Sequence, residues 1–196
     1  MTRYTGINHL AMATADMDAT VRFWRDLLGM RLLAGHGHQG YRQYFLEISG
    51  QDMVAFFEWP GAQPLPDKDH GVPVKGPWGF DHVSFGVERR EDLWELKARL
   101  EAAGFWASEV LDHGFIHSLY SFDPNNIAIE FSWSVPGVDF RGRPRLVDRD
   151  RPRAARSGSE PQEGFWPTPA PIPQEDRVAY PGEGRDMLEP GEGEDG

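Results

Sequence analysis

The sequence predicts an α+β fold: two tandem βαβββ modules forming a half-barrel cup, followed by an extended Pro- and Gly-rich tail. Three observations carry this. An order of strand, helix and three strands occurs twice. The two copies keep their spacing, with His9 and His82 73 residues apart, Gly29 and Gly104 75 apart, and Trp59 and Trp133 74 apart. The composition then changes after Trp133, beyond which lie ten of the sixteen prolines. Internal repetition constrains architecture, because each unit must bury the same kind of face. Two such units would each pack an apolar sheet face on helices and leave the opposite faces lining one shared concavity.

The first module opens with Ile7–Met12, where His9 and Ala11 point one way and Leu10 and Met12 the other, the period of a strand. Asp16 suits the N-cap of a helix reaching Leu28, with Val21, Trp24 and Leu28 on one side and Gly29 as its stop. Met30–Ala34, Tyr41–Ile48 and Met53–Trp59 read as the remaining strands. Residues 60–78 form a Pro- and Gly-rich linker longer than an ordinary loop, which suggests a partial lid; His70 within it reads as solvated.

In the second module Phe80–Val87 is a strand with His82, Ser84 and Gly86 on one face. Glu91–Ala103 is a helix with Leu93, Leu96 and Leu100 on one side and Gly104 as its stop. Trp106–Val110, His117–Phe122 and Ile127–Trp133 complete the set. Asp123-Pro124-Asn125-Asn126 carries turn chemistry: Pro presets φ, and Asn tolerates the left-handed conformation. After it Ile127, Ile129, Phe131 and Trp133 alternate with Ala128, Glu130 and Ser132, placing a single carboxylate among small residues. The expected organisation is therefore a cup domain over residues 1–135, with modules 5–60 and 79–134, and an irregular tail over 136–196. In that tail Phe165–Pro173 is either an aromatic clamp on a polyproline segment or disordered.

Composition excludes several classes. The net charge of −11 argues against a nucleic-acid-binding surface. No apolar run approaches the ~18–20 residues of a membrane span. Without cysteine there is neither a disulfide framework nor a thiolate metal site. The first residues lack the apolar stretch of a signal peptide, so cytoplasmic residence is the expectation.

Two imidazoles and a carboxylate on three repeat-related strands, His9, His82 and Glu130, suit a divalent metal ion. Nitrogen and oxygen donors with open positions fit Fe(II), Mn(II) or Zn(II), and a facial two-histidine, one-carboxylate set suits oxygen-activating iron best. Their neighbours Ala11, Ser84, Gly86, Ala128 and Ser132 are small, which leaves room for an ion and a small-molecule substrate.

Four stretches carry a family resemblance: Ile7-Asn-His-Leu-Ala, Phe23-Trp-Arg-Asp-Leu-Leu-Gly-Met, Phe80-Asp-His-Val-Ser-Phe, and Asp123-Pro-Asn-Asn-Ile-Ala-Ile-Glu-Phe. Over about residues 5–134 the chain resembles the vicinal oxygen chelate superfamily. That group includes glyoxalase I, bleomycin- and fosfomycin-resistance proteins, methylmalonyl-CoA epimerase and type I extradiol dioxygenases. The resemblance implies a metal cup, built within one chain or across a homodimer. Tyr120, ten residues before Glu130, matches the tyrosine with which the dioxygenases hydrogen-bond their iron-bound substrate, and His113-Gly114 resembles the source of their catalytic histidine. On that likeness His113 is the expected acid/base and Tyr120 the donor to a developing oxyanion. The dioxygenases use a further histidine from the first module, and none lies near Phe56.

By the Trp59/Trp133 register the superfamily's fourth ligand position falls on Phe56, which cannot bind metal and becomes a pocket wall. Glu58 is expected to face the same cavity; with His117 it is a candidate base or substrate contact. The leading expectation is an Fe(II)-dependent extradiol ring cleavage of a catechol-like diol. The alternatives are a glyoxalase- or epimerase-like isomerase or lyase, for which Zn(II) or Ni(II) would serve, and a small-molecule-binding resistance protein.

Overall fold

A computed structural model describes residues 7–73, 75, 80–140, 142–147, 154–161, 167–181 and 183–188. The chain divides into two compact units, residues 1–135 with 184–196, and residues 136–183.

The first unit holds both modules. In module one, β1 (His9–Thr14) leads to α1 (Met17–Val21), then β2 (Leu32–His38), β3 (Tyr41–Glu47) and β4 (Met53–Glu58). In module two, β5 (Val83–Gly86) leads to α2 (Asp92–Ala102), then β6 (Leu111–Asp112), β7 (Ile116–Phe122) and β8 (Ala128–Ser134). Each module makes a four-stranded mixed sheet, in the orders β1-β4-β3-β2 and β5-β8-β7-β6. The first strand of each module pairs parallel to its last, so β1 and β5 are both sheet edges.

Local chemistry explains the helices. The Asp16 carboxylate accepts from the Ala19 N–H at 2.9 Å, capping α1. Beyond Val21 the helix widens into a π-helical stretch, Arg22–Leu27, in which the Leu28 N–H donates to the Phe23 carbonyl at 3.0 Å. Phe23 and Trp24, although adjacent in sequence, are both buried there. Gly29 and Gly104 end their helices at φ +80° and +83°, as the repeat predicts.

One apolar core lies on the helix faces of both sheets. Trp24 sits at its centre, with ring centroids 5.4 Å from Phe56 of β4 and 5.5 Å from Phe85 of β5, so a single indole bridges the modules. Its Nε1–H donates to the Asp123 carboxylate at 3.1 Å. Asp123 also accepts from the backbone N–H groups of Asn125 and Ile127 and from the Asn125 side chain. Burial, the largest influence, raises its pKa, and these donors oppose that rise.

The expected strand over Trp106–Val110 does not form. The Tyr120 N–H donates at 2.9 Å to the Ser108 hydroxyl rather than to a ladder carbonyl, and the Ser121 hydroxyl donates to the Trp106 carbonyl at 2.7 Å. Serine side chains thus compete with backbone pairing, leaving an isolated Ala107–Ser121 bridge and the short β6.

Near the end of β2, Gly37 pairs with Arg42 of β3 at φ +98°, and an added Cβ there would run into the Tyr41 carbonyl oxygen. Gly37→Ala is therefore expected to cost about 1–3 kcal/mol, read as a lower urea midpoint at unchanged m-value.

In the second unit the regular structure among the described residues is confined to short 3₁₀ turns, including Ala154–Ser157 and Gln174–Asp176. Its side chains with a described environment are exposed. Phe165 and Trp166, the candidate aromatic clamp, lie outside the described residues. Among the described residues no helix is long and apolar enough to cross a membrane.

Candidate active site

Most of the expected chemistry gathers on the second sheet, on the face turned away from the helices. His82 precedes β5, and its Nε2 lies 3.0 Å from Oε2 of Glu130 on β8. Behind the ring, Nδ1 lies 2.6 Å from Asp81 Oδ1. Asp81 also accepts from Lys68 Nζ at 2.6 Å and from the Gly71 N–H at 3.0 Å. These donors, Lys68 foremost, hold the Asp81 carboxyl well below the usual carboxylate range. Asp81 is thus an acceptor, so His82 Nδ1 carries a hydrogen and Nε2 is left facing Glu130.

Tyr120 stands opposite Glu130 on β7. Its phenol oxygen lies 3.0 Å from His113 Nε2, on the exposed turn between β6 and β7. Burial, followed by the negative charge of Glu130, raises the phenol pKa, which keeps it a proton donor at neutral pH.

The linker supplies a residue that sequence reading set aside. His70 is half-buried rather than solvated, with ring centroids 4.8 Å from both Tyr120 and Phe122 and 5.8 Å from His82. Its Nε2 donates to the carbonyls of Ser121 and Ile129 at 3.1 and 3.0 Å. Carbonyls only accept, so Nε2 carries the hydrogen and Nδ1 the lone pair. Burial lowers the His70 pKa, so the ring is neutral at pH 7. The unusual length of the linker was the one hint in the sequence. Together His70, His82, His113 and Tyr120, with Trp106 and Leu111, line a cavity of about 480 Å³.

Other expected site residues lie elsewhere. His9 is exposed, with Nδ1 2.9 Å from the Asn8 side chain and its ring edge-on to Phe45 at 5.6 Å. Among the described residues no three His, Asp or Glu side chains are arranged to hold a metal ion, so one chain does not gather His9 with His82 and Glu130.

Phe56 is not a pocket wall, because it is fully buried against Trp24 on the helix face. Ser84 pairs with Glu130 where Ala11 pairs with Ala55, so the repeat places Glu130 on Ala55, one residue from the position expected. A one-residue slip turns a strand side chain to the other face. Ala55 has no donor atom to offer a metal either.

Glu58 shares the facing of Phe56 and so turns away from the cavity. It accepts from the Met17 N–H at the start of α1 at 3.3 Å, from the Gly40 N–H at 3.1 Å and from Arg42 at 3.3 Å, an anchoring role. His117 is likewise on the face opposite Tyr120, where its Nδ1 accepts from Arg90 Nε at 3.0 Å beside Trp133.

The donors present fit part of a metal site. His82 Nε2 and Glu130 Oε2 converge, and Asp81 fixes the histidine from behind as the partner of a metal-bound imidazole would. A metal ion held there would need a third protein donor from outside this cluster.

The model of the Glyoxalase/Bleomycin resistance protein/Dioxygenase superfamily matches residues 6–131. The chain belongs to this superfamily. The superfamily match spans both modules and the linker and stops short of the tail. An uncharacterized protein of Pseudomonas aeruginosa is 29% identical over 137 residues, covering 66% of this chain and 89% of that protein. An iron-dependent extradiol dioxygenase of Rhodococcus jostii is 24% identical over 131 residues, covering 64% of this chain but 42% of the dioxygenase. A solved glyoxylase/bleomycin resistance protein/dioxygenase domain from Frankia sp. superposes with a TM-score of 0.57 at 24% identity, covering 68% of this chain and 100% of that domain. Likeness at that level speaks to the superfamily fold.

Proposed function

We propose that the protein is a divalent-metal-dependent enzyme that opens a catechol-like ring by extradiol chemistry with O₂. The observation that carries this reading is the meeting of Tyr120, His113, His70 and His82 in one cavity, with the buried Glu130 carboxylate 3.0 Å from His82 Nε2. The likeness to an iron-dependent extradiol dioxygenase supports it. His82 and Glu130 would hold the ion, and His9 of a second copy would complete the set. Exposure of His9 and the unpaired sheet edges β1 and β5 favour such a homodimer.

When bound, Fe(II) supplies chelation of two vicinal hydroxyl oxygens and the electrons that make O₂ reactive. The chain supplies the rest. His70, neutral and with a lone pair on Nδ1, accepts a proton from a substrate hydroxyl. Tyr120 donates a hydrogen bond to the oxygen on which charge develops, and His113 exchanges that proton across the 3.0 Å contact. Trp106 and Leu111 give the cavity apolar walls suited to a ring. The isomerase alternative loses its expected base, since Glu58 faces the helices.

The test is protein purified without oxygen, loaded with Fe(II), and given catechols and then O₂. A yellow ring-opened product, with one O₂ consumed per ring, is expected. Turnover of a hemithioacetal with Ni(II) or Zn(II) in the absence of O₂, and none of catechols, would overturn the reading. Tyr120→Phe should lower kcat about 10²-fold with little change in KM, measured by product absorbance.

A further inference from the structure

We propose that Lys68 and Asp81 are positioning residues of this site: through Asp81, Lys68 holds the His82 ring with its Nε2 turned towards Glu130. The inference rests on the reading of His82 as a metal donor and adds residues that the reading does not require.

Lys68 belongs to the linker, where most neighbours are exposed, yet its side chain is only 8% exposed. A lysine ammonium is buried at a cost that a matched carboxylate offsets, and here the match is Asp81 Oδ2 at 2.6 Å, with the Asp69 carbonyl at 3.2 Å. The other Asp81 oxygen accepts from the Gly71 N–H and from His82 Nδ1. All the contacts of Asp81 thus serve to fix one imidazole tautomer. Without Lys68, Asp81 could turn away and either ring nitrogen could carry the hydrogen.

The same stretch is pinned at its start. The Leu65 N–H donates to the Asn125 carbonyl at 2.9 Å, and the Asn126 side chain donates to the Leu65 carbonyl at 2.7 Å. His70 lies between the two Asp81 contacts of the linker. One docking event therefore sets the His82 tautomer and seats His70 against Tyr120.

The experiment is ¹⁵N NMR of the His82 ring at pH 8 in metal-free, full-length protein, with Fe(II) titration under anaerobic conditions and thermal unfolding. The unmodified protein should show a hydrogen on His82 Nδ1. Lys68→Met should give mixed tautomers and weaken Fe(II) binding about 10–100-fold, the loss typical of partners behind a metal-bound histidine. Lys68→Arg should restore the tautomer and most of the affinity. Should Lys68→Met fail to fold, the double variant Lys68→Met/Asp81→Asn removes both charges together and should show the same mixed tautomers. An unchanged Nδ1–H tautomer in these variants would overturn the proposal. If the unmodified protein binds no Fe(II), the metal reading fails alone, because the ring shifts still decide whether Lys68 orients His82.

Discussion

His82→Ala is expected to abolish stoichiometric Fe(II) binding and to lower catechol turnover by at least about 10³-fold. Lewis-acid and orienting effects of a bound metal amount to several kcal/mol, and about 1.4 kcal/mol corresponds to a decade of rate. The fold should survive, because the His82 side chain is partly exposed and lies outside the apolar core. Metal analysis and circular dichroism on the same sample separate the two effects. Full metal occupancy in this variant would remove the metal assignment.

His9→Ala should lose activity equally, and mixing the two inactive variants tests where His9 acts. If the third donor comes from a second copy, heterodimers carry one intact site, and activity reappears on mixing. If no activity returns from a mixture shown to exchange subunits, His9 does not complete the site across a dimer.

The second large effect concerns stability. Trp24→Ala should cost about 3–5 kcal/mol, the range for deleting a buried aromatic, because Trp24 is fully buried between Phe56 and Phe85. The cost falls on both modules at once, so a single cooperative urea transition should shift without splitting. Trp24→Phe keeps much of the apolar contact but deletes the Nε1–H that reaches Asp123. A loss of about 1–2 kcal/mol is expected there, since Asp123 retains its bonds from Asn125 and Ile127. Two separate transitions in Trp24→Ala would show that the modules fold independently of this indole.

The sequence alone determined the duplicated architecture and the helix boundaries. Those features are local or periodic: Asp16 caps by its own side chain, Gly29 and Gly104 stop helices by their φ, and the two copies repeat within two residues. What it misplaced were facings and long-range placements. Repeat offsets of 73, 74 and 75 residues differ by single steps, and in a strand one step exchanges the two faces. That is why Phe56 was matched to Glu130 when the pairing selects Ala55. It is also why Glu58 was expected at a cavity from which it points away. Only the tertiary structure decided that the linker docks, because the Leu65, Lys68 and Gly71 bonds join residues no periodic pattern relates. That docking turns His70 from a solvated loop residue into a wall of the cavity.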